Sequence, residues 1–386
     1  MTSNAKGYLA TLDGWRAVAI LAVIADHGTA NIFQHRFPKL FEITRFGPNG
    51  VSLFFAISGF LICSRLLEEY DGAGRISLRG FYIRRASRIL PPALLYLAVV
   101  GVLGAVAVIE MSSREWWACI FFFRNYLPPD VITRGWGGYT IHYWSLAVEE
   151  HFYLLWPGIL VLLGPRRAKW AALGGAVMVA GWRFWDFRHL FVEKYLPGLL
   201  FGSRTDVRLD GLLMGCLLAL LLSEPRWRER LLRVLGMWGW VACAVGYLSL
   251  QLYYRHHYYT LLESVLLAAM VAATVMHPQT LIGKFLELGW MRWLGRLSYS
   301  LYLWQQLFLV PGAKYPWSLL QSFPVNCGLL LLVAALSYRF VERPMIRLGH
   351  QIAPPPSPGR IDIGDAAREP EVQAAVLAGE PSQSLT

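Results

Sequence analysis

Residues 12–28 read LDGWRAVAILAVIADHG, an apolar run of helical length that carries Arg16 near its start and His27 near its end. Their separation of eleven residues, at about 100° each, is within about 20° of three turns, so both side chains lie on one helix face, about 16 Å apart. An ionisable residue inside an apolar span is costly and usually faces a bundle interior or a wet cavity. The pattern favours a functional pair over its alternative, in which Arg16 flanks the membrane and His27 caps the helix.

The composition around this run is that of a membrane protein. Hydrophobic residues make up 55% of the 386 residues and charged residues 16%, whereas a soluble domain carries about 25% charged residues. The net charge of +11 comes largely from arginines clustered between apolar runs. Such clusters are typical of the segments between membrane spans. They explain the positive charge as a signal of membrane topology and not of nucleic-acid binding. The five cysteines are scattered and have no paired spacing, which indicates small buried side chains.

Apolar runs of helical length recur from end to end, and a hydrocarbon core of about 30 Å needs about 20 residues per helix. They predict an all-α polytopic membrane protein with about ten transmembrane helices. The runs cover residues 13–32, 51–67, 89–109, 142–164, 168–185, 208–223, 231–251, 259–276, 293–312 and 317–338. We expect residues 1–350 to form one membrane domain with a first span that is not cleaved, and residues 351–386 to form a disordered cytoplasmic tail.

Basic residues predict the orientation of these spans. Arginine and lysine cluster in the alternate segments 65–88, 164–169 and 224–233, so these segments share one side. By the positive-inside rule that side is the cytoplasm, and both termini lie there. The segment 183–208 should then be outside, yet it carries five basic residues. Either these charges bind an anionic ligand, or the fifth predicted span is misplaced.

Polar residues on three different spans are predicted to meet at one level. Ser58 and Gly59 lie about 10 Å below the outer start of the second span, and Glu149 and Glu150 lie at a similar depth in the fourth. His27 is near the outer end of the first. A pair of glutamates in mid-span is costly and favours function, whereas Ser58 and Gly59 alone are explained by close packing of helices.

A charged group opens the sixth span at the predicted outer side. The segment TDVRLDG contains Asp206, Arg208 and Asp210. These residues predict either a charge network at the outer mouth of the bundle or a solvated helix cap.

A second charged group, Arg84, Arg85 and Arg88, begins the third span at the predicted cytoplasmic side. Its ordinary role is orientation and contact with lipid headgroups. The alternative is binding of phosphates from a nucleotide-like donor, because arginine offers bidentate donors. Neither a glycine-rich phosphate loop nor metal-ligand spacing occurs in the sequence, so we expect no metal site.

Seven segments resemble, in order, the integral-membrane acyltransferase 3 family. They are LDGWRAVAILAVIADH, GVSLFFAISGFLI, FYIRRASRILP, WSLAVEEHFYLLWP, RTDVRLDGLLMGCLLA, LGRLSYSLYLW and SYRFVERP. Each segment alone is a weak signal, but seven in order between about residue 12 and residue 344 are specific. The resemblance implies transfer of an acyl group, commonly acetyl from cytoplasmic acetyl-CoA, to a hydroxyl of a glycan or glycolipid at the outer face of a bacterial cytoplasmic (inner) membrane.

The resemblance also implies roles for individual residues. The family's functional positions fall on Arg16, His27, Glu149, Arg85 and Arg88. Two positions depart from the family pattern, because Gln305 stands where the family often has His and His151 where it often has Gln. Some members carry an additional extracytoplasmic hydrolase-like domain, and we expect this chain to complete its transfer within the membrane domain.

These positions suggest a mechanism. Histidine, with a reference pKa near 6.5, can take the proton of a sugar hydroxyl during attack on a thioester. We expect His27 to be this general base, with Glu149 orienting it or stabilising the imidazolium; an acyl-histidine intermediate is the alternative. Arg16 would hold the anionic part of the donor or fix the helix. The remaining candidates are Arg84, Arg85 and Arg88 for the donor phosphates, and Ser58, Asp206, Arg208 and Asp210 for the acceptor side or for structure.

The expected partners are an acyl-CoA co-substrate, a glycan or glycolipid acceptor and membrane lipid, with no permanently bound cofactor; homo-oligomer formation is left open. Two other classes of protein compete with the enzyme. A transporter or flippase for a lipid-linked sugar would use the same charges to line a pathway. A non-catalytic sensor or scaffold would use the histidine as a pH switch.

Overall fold

The computed structural model describes residues 9–36, 47–106, 109, 112–127, 138–253, 261–309, 320 and 322–354, and its regular secondary structure is entirely helical. The helices are α1 Ala10–Arg36, α2 Gly47–Ala73, α3 Leu78–Ala105, α4 Ser113–Ile120, α5 Tyr143–His189, α6 Phe191–Tyr195, α7 Leu209–Leu222, α8 Pro225–Val234, α9 Met237–Tyr253, α10 Leu261–Met276, α11 Leu281–Leu286, α12 Gly289–Leu309, α13 Val325–Ser337 and α14 Arg343–Ile352. The prediction of an all-α fold is confirmed for this part of the chain. The tail predicted for residues 351–386 lies outside the described residues from 355 onward.

Four helices in the described ranges are long and apolar enough to cross a membrane: α2, α3, α5 and the continuous segment Val325–Ile352. A fifth candidate is the pair α8 and α9, which is bent by 75°. The number of such long helices is lower than the ten spans that the sequence predicts. Part of the difference is that the apolar helices α7 and α10 have fewer than 18 residues. The ten spans and the cytoplasmic position of both termini stay predictions.

Helix α5 contains both the fourth and the fifth predicted spans. Its 47 residues would extend about 70 Å as a straight helix, more than twice a hydrocarbon core. Gly164 interrupts the helix with a φ of 68°, and Pro165 follows it. A left-handed glycine ends a helix at little cost, and a proline is well tolerated in the first turn of the next. The second segment continues to His189, so Arg183 and Arg188 belong to the helix rather than to the predicted outer loop.

The bundle places α1 and α2 at its centre. Helix α1 packs against α12 and α2, α2 packs against α7, and α7 also packs against α5. At the end where α1 begins, α14 packs against α3. Large buried side chains such as Phe55, Tyr96 and Trp156 fill the space between these helices. The predicted site residues on α1, α2 and α5 therefore all face the interior of one bundle.

Two glycines allow α2 and α7 to approach closely. A Cβ atom on Gly59 would overlap the carbonyl oxygen of Leu212, and one on Gly215 would overlap the carbonyl oxygen of Ala56. Small residues at such crossings let helix backbones come together. Gly59 therefore makes this packing contact with α7, whereas Ser58 faces another helix.

This crossing predicts a stability defect. We expect Gly215→Ala to lower the free energy of unfolding by about 1–3 kcal/mol, because the added methyl group meets backbone that cannot move aside cheaply. Gly158→Ala is the matched control, because Gly158 is also helical and has no atom within 4 Å of a built Cβ. The control should be neutral or gain about 0.5–1 kcal/mol from helix propensity. Unfolding in mixed detergent micelles measures the free energy of unfolding of both variants. Equal stability of the two variants would contradict the close crossing of α2 and α7.

Candidate active site

Two adjoining cavities lie inside the bundle and share Arg16, Arg85 and Arg88 in their walls. The larger, of about 600 Å³, is at the end where α1 begins and α2 ends. We call it the arginine cavity. The smaller, of about 70 Å³, lies between α1, α2, α5 and α12, and we call it the glutamate cavity because Glu149 lines it. The volume of the arginine cavity is in the usual range of small-molecule sites.

The arginine cavity is rich in positive charge. Among the described residues its wall contains six arginines, which are Arg16, Arg65, Arg84, Arg85, Arg88 and Arg296. Four acidic residues of the same described part accompany them, which are Asp13, Glu68, Glu69 and Glu342. Excess positive charge in a cleft attracts anionic ligands, and arginine binds phosphate in a bidentate manner. The cavity is therefore suited to a phosphorylated small molecule.

The three arginines that the sequence nominated for a donor have different surroundings. Arg84 donates to Glu69 at 2.9 Å, which makes it part of the wall. The Arg85 guanidinium lies 3.9 Å from the centre of the Tyr153 ring. Arg88 forms no ion pair or hydrogen bond with the described residues, and it borders both cavities. Arg88 is thus the member of the set best placed to bind an added anion.

The glutamate cavity joins two residues that the sequence placed at one level. Ser58 donates a hydrogen bond of 3.0 Å to Oε1 of Glu149. Tyr153 donates one of 2.7 Å to Oε2 of the same carboxylate. Both carboxylate oxygens therefore accept hydrogen bonds from neighbouring side chains. The meeting of α2 and α5 at this depth agrees with the sequence expectation.

His27 contacts α12, whereas the described partners of Glu149 lie on α2 and α5. Its Nδ1 atom is 3.1 Å from Oε1 of Gln305 on α12, whereas the hydrogen bonds described for Glu149 go to Ser58 and Tyr153. Gln305 is thus the hydrogen-bond partner that the described residues give to His27, and the expected role of Glu149 toward His27 stays a prediction. The register of α1 against α12 brings Gln305 opposite His27, and no pattern within either helix encodes it.

His27 is not among the described residues that line either cavity. The glutamate cavity does reach Tyr302, which precedes Gln305 by one turn of α12. The Tyr302 hydroxyl is 2.6 Å from the Ser145 hydroxyl, which also lines that cavity. Arg16 therefore borders both cavities, whereas His27 contacts α12 in the layer that follows Tyr302.

The outer charged group has partners that the sequence did not indicate. Asp206 accepts hydrogen bonds from Arg204 and Trp182, and Asp210 pairs with Arg183 through two hydrogen bonds of 3.0 and 3.1 Å. The predicted set of Asp206, Arg208 and Asp210 is thus corrected to two ion pairs that use other arginines. Arg204 is two residues from Asp206, whereas Arg183 lies on α5, 27 positions from Asp210, so for Asp210 proximity in sequence was a poor guide.

Arg208 donates to the hydroxyl of Ser52 on α2 at 3.1 Å. Its guanidinium is 5.6 Å from the centre of the Phe55 ring and 5.7 Å from that of Trp144. These contacts tie the start of α7 to α2 and α5. Arg208 is 3% exposed, so its surroundings are those of a structural residue.

These pairs explain the basic segment 183–208. Arg183 and Arg204 are both buried and pair with Asp210 and Asp186, respectively. Burial would raise the pKa of the Asp206 carboxyl, but hydrogen bonds from Arg204 and Trp182 outweigh it and the pKa is lowered. Much of the positive charge in the segment is therefore neutralised within the protein, and those arginines do not require an anionic ligand.

The structure adds residues that sequence reasoning did not nominate. Glu342 lines the arginine cavity, is fully buried and accepts a hydrogen bond of 2.8 Å from Ser300. It ends a π-helical turn at Tyr338–Glu342, and such turns are frequent at functional sites. Glu342 falls within the segment SYRFVERP and Arg296 within LGRLSYSLYLW, so the family resemblance was the signal that could have found them.

Comparison with known proteins agrees with this arrangement. An acyltransferase-domain model matches residues 9–341. The chain belongs to the acyltransferase 3 family. Peptidoglycan O-acetyltransferase OatA of Listeria monocytogenes is 27% identical over 90% of this chain and 57% of its own length. A proposed O-acetyltransferase of Staphylococcus aureus is 31% identical over 89% of this chain and 58% of its own. A proposed peptidoglycan O-acetyltransferase of Bacillus subtilis, YrhL, is 30% identical over 88% of this chain and 55% of its own length.

This acyltransferase 3 chain thus matches somewhat more than half the length of these relatives. No solved structure matches it.

Proposed function

We propose that this protein is a membrane O-acyltransferase that moves an acyl group, most simply acetyl, from cytoplasmic acyl-CoA to a hydroxyl of a cell-envelope saccharide. The observation that carries the proposal is the arginine cavity, which adjoins a glutamate cavity within a chain of the acyltransferase 3 family. Positive charge at one end and polar groups further in suit a donor with phosphates at one end and a thioester at the other.

The donor would enter with its phosphates against Arg88, Arg85 and Arg296. Because Arg84 is already paired with Glu69, its contribution is to shape the wall. The extended arm of the donor would then pass Arg16, which borders both cavities, and carry the thioester along α12 toward His27. Arg16 would hold an anionic or carbonyl oxygen of the donor at the junction.

His27 would act as the general base in this scheme. It would accept the proton of the saccharide hydroxyl while the hydroxyl oxygen attacks the thioester carbonyl. The new C–O bond would form, the C–S bond would break, and the proton would pass to the leaving thiolate, which departs as CoA thiol. The pair of Ser58 and Glu149 would line the approach of the acyl group.

The acceptor would reach His27 from the opposite end of the bundle, which the basic loops predict to be outside a bacterial cytoplasmic membrane. The names of two relatives make peptidoglycan the first acceptor to test. The ion pairs of Arg183 with Asp210 and of Arg204 with Asp206 would hold the outer segment in shape beside the acceptor.

Reconstituted protein tests this function. The purified chain in liposomes is supplied with acetyl-CoA radiolabelled in the acetyl group and with peptidoglycan fragments or a lipid-linked precursor. We expect alkali-labile label, the mark of an ester, to appear in the saccharide. Movement of the lipid-linked sugar across the bilayer without covalent change would instead identify a flippase, and binding of neither substrate would contradict both.

Arg88 provides the corresponding test of the donor site. We expect Arg88→Gln to raise KM for acetyl-CoA about tenfold with little change in kcat, because a hydrogen bond to a charged group contributes about 1.5–3 kcal/mol. The matched control is Arg79→Gln, since Arg79 is an exposed arginine on the same helix that lines neither cavity. Equal KM values for the two variants would remove Arg88 from the donor site.

A further inference from the structure

Gln305 is a polar side chain held in the interior of the bundle. It is fully buried, and its Oε1 atom is 3.1 Å from Nδ1 of His27. The two residues are 278 positions apart in sequence, so their contact depends entirely on the packing of α1 against α12. His27 gives the oxygen of this buried amide a partner, while the Nε2 atom of Gln305 has none among the described residues.

The register that brings them together is set by a close approach of the two helices. A Cβ atom on Gly295 of α12 would overlap the carbonyl oxygen of Asp13 on α1. Helix α12 therefore touches the backbone of α1 below His27, and small residues at such crossings let helix backbones come together. This contact fixes how α12 lies against α1, and with it the position of Gln305 opposite His27.

An amide oxygen only accepts hydrogen bonds, so the oxygen of Gln305 requires a proton on Nδ1 of His27. A neutral imidazole carries one proton, and the bond made by one ring nitrogen decides the state of the other. We propose that Gln305 is a positioning residue that holds His27 with its proton on Nδ1, which leaves the lone pair of Nε2 free to accept the proton of the acceptor hydroxyl. The proposal rests on the function proposed above for His27.

A neutral partner suits the apolar surroundings of this site. The amide of Gln305 orients the ring through its oxygen and adds no charge at this place. Glu149 accepts its hydrogen bonds from Ser58 and Tyr153. Different residues would therefore orient the base and line the path of the acyl group.

Nitrogen NMR of protein labelled with ¹⁵N-histidine tests the proposal without any acyl transfer. The chemical shifts of the two ring nitrogens distinguish the tautomers, and His27→Gln identifies the His27 signals by their loss. We expect Nδ1 to be protonated in the wild type. Gln305→Leu should shift the population toward protonated Nε2 and lower kcat about tenfold or more, the effect expected from loss of one orienting hydrogen bond.

Two further variants separate positioning from structure. Gln305→Glu retains an acceptor oxygen and should retain the proton on Nδ1. Gln306→Leu is the matched control, since Gln306 is the next residue and is also buried, and it should retain both the tautomer and the rate. Protonated Nε2 in the wild type, or an unchanged tautomer and kcat in Gln305→Leu, would overturn the proposal. Absence of transfer by a wild type that has the expected tautomer would instead count against the proposed function alone.

Discussion

His27→Ala is expected to lower acyl transfer by about two to four orders of magnitude, the usual contribution of a positioned general base. The thioester would remain bound in the variant, but no side chain would take the proton of the saccharide hydroxyl as the C–O bond forms. The loss should fall on kcat, whereas the affinity for acetyl-CoA, set at the arginine cavity, should change little. Initial rates with labelled acetyl-CoA and calorimetric binding of the donor measure the two quantities separately.

His189→Ala is the matched control for this variant. His189 is an exposed histidine at the end of α5, and its Nδ1 atom contacts only the carbonyl oxygen of Trp185 in the same helix among the hydrogen bonds described. It should transfer acetyl at the wild-type rate. A folded His27→Ala protein with the same rate would eliminate His27 as the base. Label that stays on wild-type His27 when the acceptor is withheld would identify an acyl-histidine intermediate in place of general-base catalysis.

Asp210→Ala should destabilise the protein by about 3–5 kcal/mol, the cost of leaving one charge of a buried pair without its partner. Arg183 is 6% exposed and donates two hydrogen bonds to Asp210. Its Nη1 atom also donates to the carbonyl oxygen of Val207 at 2.8 Å, so it cannot readily turn toward solvent. Unfolding in mixed detergent micelles measures the loss as a change in the free energy of unfolding.

The exposed pair of Arg65 and Glu68 provides the comparison. Its N–O distance is 2.9 Å, but the Arg65 side chain is 57% exposed, and such pairs contribute about 0–1 kcal/mol. Glu68→Ala should therefore change stability far less than Asp210→Ala. The double variant Arg183→Leu with Asp210→Leu should recover part of the loss, because it removes both charges. Similar losses for Glu68→Ala and Asp210→Ala would show that burial does not govern the strength of the Arg183 pair.

Local pattern alone was sufficient for several features of this protein. The apolar runs predicted an all-helical fold, which the described residues confirm. Depth along two spans brought Ser58 to Glu149, where the structure has a hydrogen bond. These features depend on the rise and turn of a single helix or on its depth in a membrane, and both are regular enough to be calculated from residue number.

The pairing of side chains between helices was decided by the tertiary structure. Gln305 on α12 meets His27 on α1, and Asp210 pairs with Arg183 on α5. Such contacts depend on the rotation and register of one helix against another. These are set by close approaches such as those at Gly59 and Gly295, where the absence of a side chain lets two backbones touch. Hydrophobic pattern indicates that helices pack, but only the fit of their surfaces determines which polar groups become partners.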